Sequence, residues 1–139
     1  MDKPIISGNR IIAPSNLEYL SDVDVFVEGV IRGWGADEST IADIAISVSE
    51  LANNATTHGN KGSRDKCVTV EVARENGMVC ITVVDQGSGF DPDSVADPLA
   101  DENLLKEVGR GMFIVRSLMD SVDTEITPQG TTVIIRKAI

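Results

Sequence analysis

The chain has 139 residues, 42% of them apolar, and a formal net charge of −10. This length and composition are typical of one globular domain, and we predict a single domain over residues 1–139. The acidic balance argues against nucleic acid as a partner, since few cations could neutralise a row of phosphates, but it is compatible with a nucleotide whose charge is met by a metal ion and helix N-termini.

No apolar run approaches the roughly 20 residues that a membrane-spanning helix needs, so we expect no membrane partner. The segment Met1–Arg10 lacks the basic and then apolar order of a signal peptide, which predicts a cytoplasmic protein. Cys67 and Cys80 fit neither a disulfide framework nor a zinc site with four ligands. We therefore expect two free thiols.

The N-terminal part is predicted to contain a short strand followed by a helix. Asn9–Pro14 has the pattern of a strand. Ser15 and Glu18 stand three residues apart and form the pattern of a capping box, in which Ser15 caps the helix and Glu18 reaches back. The helix carries an apolar stripe and is predicted to end near Gly33–Gly35.

A second helix is predicted from the N-cap residue Asp37 to about His58, with Gly59 as its terminator. Its apolar residues recur at three- and four-residue steps and form one stripe. Glu50, Asn54 and His58 stand four residues apart and line a second, polar stripe beside it. A solvated helix face would explain Glu50 and Asn54 alone, and a capping role would explain His58. The stripe therefore indicates a functional site only together with polar residues elsewhere in the chain.

A β-hairpin is the clearest local signal in the chain. Asn76-Gly77 favours a two-residue turn because both positions tolerate positive φ. Folding at this turn predicts the pairs Glu75–Met78, Val72–Ile81, Val70–Val83, Val68–Asp85 and Ala73–Cys80. The register places Asp85 on the buried face of the sheet, where a carboxylate needs a hydrogen-bond partner.

A long connection, a helix and two strands complete the predicted order. Gln86–Val108 contains two glycines, two prolines and six acidic residues without a sustained period, and we predict that it is a mobile lid. Gly109–Gly111 is predicted to begin a helix, so its N–H groups would be free to bind phosphate. Strands are predicted around Val122–Ile126 and Thr131–Lys137.

Strands that are grouped in hairpins predict an α+β fold, a two-layer sandwich of a mainly antiparallel sheet with helices on one face. In this arrangement one cleft would contain the polar stripe, Asp85 and Gly109–Gly111. Asn54 would donate an oxygen to Mg²⁺, and Glu50 would orient or deprotonate a nucleophile near it. The cleft is therefore a candidate site for a nucleotide.

Further residues fit a nucleotide in this cleft. Asp85 would accept a hydrogen bond from a ligand amino group, and Gly87 and Gly89 would let the backbone approach a flat ring. As alternatives, the glycines fit an ordinary loop, and Asp85 fits the end of a strand. The conjunction of all these signals in this order favours the site.

The motifs resemble those of the Bergerat-fold (GHKL) ATPases, the superfamily of gyrase, mismatch-repair, chaperone and sensor-kinase ATP domains. ELANNATTHGN resembles the N box, DQGSGF the G1 box, GRGMFIV the G2 box and the closing GTT the last box. The resemblance implies ATP and Mg²⁺ as cofactors, with Glu50 as the catalytic residue and Asn54 as the metal ligand. The cofactor-binding residues that it implies are Asn54, Asp85, Gly87, Gly89, Gly109, Arg110, Gly111, Met112 and Thr131.

Within this superfamily the chain is similar to the bacterial anti-sigma serine kinases, in its size, in the HG after the N box and in GRGMFIVRSLMD. The similarity implies an ATP-dependent serine/threonine protein kinase that phosphorylates an anti-anti-sigma (STAS-type) antagonist, sequesters a sigma factor and forms a homodimer. One feature departs from the sporulation-type members, which carry a basic residue just before the G2 box. Here Lys106 is out of step and Arg110 lies inside the box, so the alternative is an ATP-binding partner-switching module without kinase activity.

Overall fold

The computed structural model of the chain describes residues 2–87 and 102–139, and for residues 102–107 it describes the backbone alone. In chain order the elements are β1 (Ile5–Ser7), β2 (Arg10–Pro14), a 3₁₀ turn (Leu17–Tyr19), α1 (Leu20–Gly33), α2 (Glu38–Asn54), a π turn (Ala55–Gly59), β3 (Cys67–Glu75), β4 (Met78–Val84), α3 (Glu102–Leu118), β5 (Ser121–Thr127) and β6 (Gly130–Ala138). Among these described helices, none has both the length and the apolar character needed to cross a bilayer.

The six strands form one antiparallel sheet in the order β1-β2-β3-β4-β6-β5. Alternate side chains of the central strands, such as Val70, Ile81 and Ile135, are fully buried and share one core with apolar side chains of α1, α2 and α3. Period-two burial of this kind follows from the pleat, which turns successive side chains to opposite faces. The predicted α+β sandwich is confirmed.

The predicted hairpin is confirmed in turn and register. Asn76 and Gly77 have φ values of 52° and 77°, as a turn of type I′ requires. The predicted pairs from Glu75–Met78 to Val70–Val83 are present. The ladder ends at Thr69–Val84, so the predicted Val68–Asp85 pair is not part of it. Both cysteines are free thiols, as expected.

The N-terminal region differs from the prediction in two respects. An additional strand, β1, pairs with β2. The capping box at Ser15 is wrong, because Asn16 is the N-cap and its side chain accepts from the N–H of Glu18 at 3.0 Å. The Ser15 hydroxyl instead donates to the Lys66 carbonyl at 2.7 Å. In contrast, the prediction for Asp37 is confirmed, since its carboxylate accepts from the N–H of Thr40 at 2.7 Å.

The start of α3 was also predicted wrongly. The helix begins at Glu102, so Gly109–Gly111 lies inside it and the predicted lid cannot extend to Val108. The N–H groups of an α-helix interior bond to carbonyls four residues earlier and are not free for phosphate. The reason is local: Leu-Leu-Lys-Glu before Val108 are good helix formers, and they outweigh two glycines. Residues 88–101 of the predicted lid lie outside the described residues.

Candidate functional site

A cavity lies where α2 and the π turn cross the sheet beside α3. We call it the Asp85 cavity. Its lining residues are Leu51, Asn54, Ala55, His58, Gly59, Val83, Asp85, Met112, Thr124, Thr131 and Val133. Four of the predicted site residues are therefore brought together here: Asn54, Asp85, Met112 and Thr131.

The Asp85 carboxylate is buried, with 7% of the residue exposed, and it is held by the backbone on two sides. Its Oδ1 accepts from the N–H of Gly87 at 2.9 Å and from the N–H of Thr131 at 3.0 Å. The N–H of Asp85 also donates to the Thr131 carbonyl at 3.0 Å, which ties the end of β4 to β6. These bonds offset the cost of burying the carboxylate and fix its orientation in the cavity.

Three glycines allow the backbone to pack closely around Asp85. A Cβ atom added to Gly59 would lie 2.3 Å from Asp85 Oδ2, and one added to Gly87 would lie 2.0 Å from the Gly59 carbonyl oxygen. A Cβ atom on Gly130 would lie 1.9 Å from the Asp85 carbonyl oxygen. Gly59 is thus required for close approach, a role that the sequence analysis missed because it interpreted this residue as a helix terminator. Gly89 lies outside the described residues.

The polar stripe of α2 faces α3 at Gly111. A Cβ atom added there would lie 2.9 Å from Glu50 Oε2 and 3.3 Å from Asn54 Nδ2. The missing side chain therefore leaves the space in which the ends of Glu50 and Asn54 lie. Sequence spacing placed Glu50 and Asn54 on one face, but it could not show that a helix-interior glycine accommodates them.

Asn54 has an unsatisfied amide. Its Nδ2 is buried and has no hydrogen-bond partner in the described part of the chain. A buried polar atom of this kind needs an explanation, since leaving it unpaired costs about 1–3 kcal/mol. The amide nitrogen suits a phosphate or water oxygen, and with the amide turned over its oxygen suits Mg²⁺.

Gly109 and Arg110 lie apart from the cavity, since both are exposed on α3 and neither lines it. The helix N-terminus proposed for phosphate at Gly109–Gly111 is not formed, as described above. His58 lines the cavity, because the π turn carries it past the end of the α-helical part of α2. A π turn at the end of a helix is frequently found at functional sites.

Asn60 is a buried residue that the sequence analysis did not single out. It is 1% exposed, and its Nδ2 donates to Ser15 Oγ at 2.8 Å and to the Cys67 carbonyl at 2.9 Å. Its Oδ1 accepts from the N–H of Gln86 at 2.7 Å, directly after Asp85. Asn60 therefore positions the chain at the Asp85 cavity. No local pattern marks it, since its partners are distant in sequence.

Gln86 is held from the other side by Cys67. Its Oε1 accepts from the Cys67 N–H at 2.8 Å and lies 3.4 Å from Cys67 Sγ. Burial raises the pKa of the Cys67 thiol, which keeps it protonated and able to donate at neutral pH. The start of β3 thus helps to hold the segment that follows β4.

The residues present fit Mg²⁺-ATP in their chemistry. Asp85 provides a fixed hydrogen-bond acceptor, and Asn54 provides an amide nitrogen with no partner among the described residues. Apolar walls for a flat base come from Leu51, Val83 and Val133. The enclosed space is small, about 50 Å³, enough for a few water molecules. Only the edge of a base would therefore reach Asp85, and the rest of a nucleotide would lie in the open mouth of the cavity.

Comparison with known proteins also relates this chain to ATP-dependent proteins. The family described as histidine kinase-like ATPase domain matches residues 13–137. The serine-protein kinase RsbW of Staphylococcus aureus is 31% identical over 133 residues, which cover 91% of this chain and 83% of that protein.

Two solved structures share the fold. One holds the RsbU and RsbW domains of Rv1364c from Mycobacterium tuberculosis; the match has a TM-score of 0.70 at 21% identity and covers 97% of this chain but 31% of that one. The other is the SiaB-SiaC complex from Pseudomonas aeruginosa, with a TM-score of 0.68 at 15% identity over 99% of this chain and 90% of that one. At these identities the two similarities support a shared fold and nothing beyond it.

Proposed function

Because this chain belongs to the histidine kinase-like ATPase domain family and is similar to the serine-protein kinase RsbW over most of its length, we propose that it is an ATP-dependent protein kinase of the anti-sigma type. Its substrate is a serine or threonine of an anti-anti-sigma (STAS-type) antagonist, and in its other state it sequesters a sigma factor. The proposal includes a homodimer and a cytoplasmic location.

The observation that carries the proposal is the meeting of Glu50, Asn54 and Gly111 beside the Asp85 cavity. Glu50 and the unsatisfied amide of Asn54 lie together at Gly111, and Asn54 also lines the cavity that contains the fixed Asp85 carboxylate. In our proposal Asp85 recognises the base, Asn54 holds the metal, and Glu50 faces the incoming hydroxyl group. This order matches the base, phosphates and acceptor of a phosphoryl transfer.

Asp85 accepts from the adenine amino group in this proposal, supported by the Thr131 N–H bond that fixes it. Gly87 brings the backbone against the base, and Met112, which is 3% exposed, closes the wall of the cavity beside it. Adenine carries a donor where guanine carries an acceptor, so an ionised carboxylate without a donor of its own selects adenine.

Bound Mg²⁺-ATP supplies the phosphoryl group together with the cation that neutralises its charge. Asn54 would contribute one ligand to that cation, as is usual for Mg²⁺, which keeps most of its other positions for water and phosphate. Glu50 would orient the partner's hydroxyl and take the proton that it releases. Positioning and charge stabilisation dominate phosphoryl transfer, so a single base contributes roughly 10²–10⁴-fold.

Glu50→Gln tests the proposal. The substitution keeps the shape of the side chain and removes its charge, so we expect ATP affinity to be retained and transfer of labelled γ-phosphate to a candidate antagonist to fall by about 10²-fold or more. ATP affinity is measured by calorimetry, and transfer by the label on the antagonist. Wild-type protein that binds ATP and an antagonist but transfers no phosphate would establish the alternative, a partner-switching module without kinase activity.

A further inference from the structure

A second pocket lies on the opposite side of the π turn from the Asp85 cavity. Ala55, His58 and Gly59 of this turn line the Asp85 cavity, whereas Thr56 and Thr57 line the second pocket. The second pocket has a volume of about 720 Å³. Its other walls come from the end of β2, the 3₁₀ turn and the loop after the π turn. One segment of chain thus separates two sites.

The loop side of the second pocket is basic, although the chain as a whole carries a net charge of −10. Lys61 and Arg64 line the pocket and are exposed. Neither side chain makes an ion pair with another of the described residues. Asp2 is an acid among the lining residues, and it leaves the two cations in excess. An anionic group would find uncompensated positive charge here.

The backbone holds this basic loop in a defined position. Lys61 has a φ value of 53° and Gly62 one of 66°, and the N–H of Gly62 donates to the Thr56 carbonyl at 2.9 Å. This bond joins the loop to the buried residue Thr56, which is 4% exposed. The entropic cost of ordering the loop is therefore largely met before any ligand binds.

Part of the lining is apolar and favours a peptide over a bare anion. Leu17 is a lining residue with 52% of its surface exposed, and Pro14 and Tyr19 also line the pocket. Exposed apolar side chains gain from burial against another apolar side chain, which an inorganic anion lacks. A peptide segment that carries both acidic and apolar side chains therefore suits this lining.

Asn60 connects the two sites physically. It follows the π turn and precedes Lys61, and its side chain bonds Ser15, a residue of the second pocket, to Gln86 beside Asp85. The Asn60 side chain is nearly fully buried. Because close-packed interiors transmit displacements, a shift of the pocket wall would also displace this side chain. A ligand that moves Ser15 or the π turn would therefore also move the chain around Asp85.

We propose that the second pocket binds an acidic peptide segment of a protein partner, and that its occupancy changes nucleotide affinity at the Asp85 cavity through Asn60 and the π turn. The second part rests on the proposed function, whereas the first part does not. Coupling of this kind is reciprocal, so nucleotide would change peptide affinity by the same factor.

The binding test uses a fluorescein-labelled synthetic peptide of alternating glutamate and leucine residues, titrated without nucleotide and followed by anisotropy. Arg64→Glu and the double substitution Lys61→Glu/Arg64→Glu are compared with Arg74→Glu, an exposed arginine on β3 that is not a lining residue of this pocket. We expect the double variant to bind about tenfold more weakly than the Arg74→Glu control. Equal affinities would overturn the site.

Two further arms define the ligand and the coupling. A peptide with glutamine for glutamate should not bind, and inorganic phosphate at millimolar concentration should not displace the acidic peptide; displacement would overturn the peptide assignment in favour of a bare-anion site.

The coupling is tested by ATP titrations with and without saturating peptide, and the two ATP affinities should differ by about fivefold. Peptide binding with unchanged ATP affinity would overturn the coupling, and peptide binding in a protein that binds no ATP would overturn the proposed function alone.

Discussion

At the scale of single residues, Asp85 shows how a buried carboxylate is made both stable and specific. Two backbone N–H groups bind its Oδ1, and three glycines bring the backbone around it. The carboxylate is therefore held in one orientation before a ligand arrives, which reduces the cost of binding. The charge of the Asp85 carboxylate would strengthen a hydrogen bond from a donor group of a ligand.

Asp85→Asn separates these two roles. Asparagine keeps an oxygen for the N–H groups of Gly87 and Thr131, but it loses the charge and presents a donor in place of an acceptor. We expect ATP affinity to fall by about 1.5–3 kcal/mol, the range for a hydrogen bond to a charged group. Calorimetry measures the affinity, and thermal unfolding serves as the folding control. Equal affinities in wild type and variant would remove the adenine assignment.

At the scale of elements, α2 and α3 meet through Gly111, where a side chain would reach the ends of Glu50 and Asn54. Gly109 lies on the same helix, and a Cβ atom added there would have no atom of the described residues within 4 Å. The two glycines have the same cost in helix propensity but different surroundings. They form a matched pair for testing whether the contact between the helices positions the polar stripe.

Gly111→Ala should impair the site more than the fold. Alanine raises helix propensity by about 1 kcal/mol, which offsets the displacement of the flexible Glu50 side chain, so the melting temperature should change little. Phosphoryl transfer should fall at least about tenfold, because a 1 Å misplacement of reacting groups can cost up to 10²-fold. Gly109→Ala should raise stability by up to about 1 kcal/mol. Equal effects of both variants on transfer would contradict positioning by Gly111.

At the scale of the whole molecule, stability depends on pH through acids whose charged form the folded state disfavours. Asp24 on α1 is a half-buried acid of this kind: its Oδ2 accepts from Ser49 Oγ at 3.1 Å, but its Oδ1 is buried without a partner among the described residues. Burial raises the pKa of Asp24, and nearby Glu28 raises it further, while the bond from Ser49 lowers it. The charged form is thus disfavoured in the folded state.

Asp24→Asn should therefore stabilise the protein at neutral pH. The folded-state pKa of Asp24 is raised above the unfolded value of about 3.9. The contribution of this shift to the free energy of unfolding is therefore fully present below the unfolded pKa, and it is lost as the pH rises through the folded-state pKa. We expect a gain of about 0.5–1 kcal/mol at pH ~7, discounted for partial exposure, that shrinks towards pH ~4. Urea unfolding at several pH values measures it.

The control for this prediction is Asp43→Asn. Asp43 Oδ2 lies 3.4 Å from Lys137 Nζ, so the removal of its charge should lower stability at neutral pH. The two substitutions make the same change of charge on neighbouring helices and are expected to act in opposite directions. Stabilisation by both would assign the effect to the reduced net charge and would contradict the role of the buried Asp24 oxygen.

Sequence alone was sufficient for features that depend on neighbours along the chain. The turn at Asn76-Gly77, the register of its hairpin, the cap at Asp37 and the alignment of Glu50 with Asn54 all follow from local φ preferences and fixed periods. The same local reasoning failed for Ser15 and for the start of α3. At Ser15 a tertiary hydrogen-bond partner replaced the local one, and at α3 helix propensity outweighed the two glycines.

Tertiary structure decided which residues complete the site. Asn60 bonds three segments of the chain, and Gly59 and Gly111 are required because another part of the chain passes within van der Waals distance of them. Gly130 is required for the same reason and also for its φ value of 153°. A glycine that permits close approach and a glycine in an ordinary turn look the same in a sequence, because what distinguishes them is the atom that would meet the missing Cβ. That atom is known only once the chain is folded.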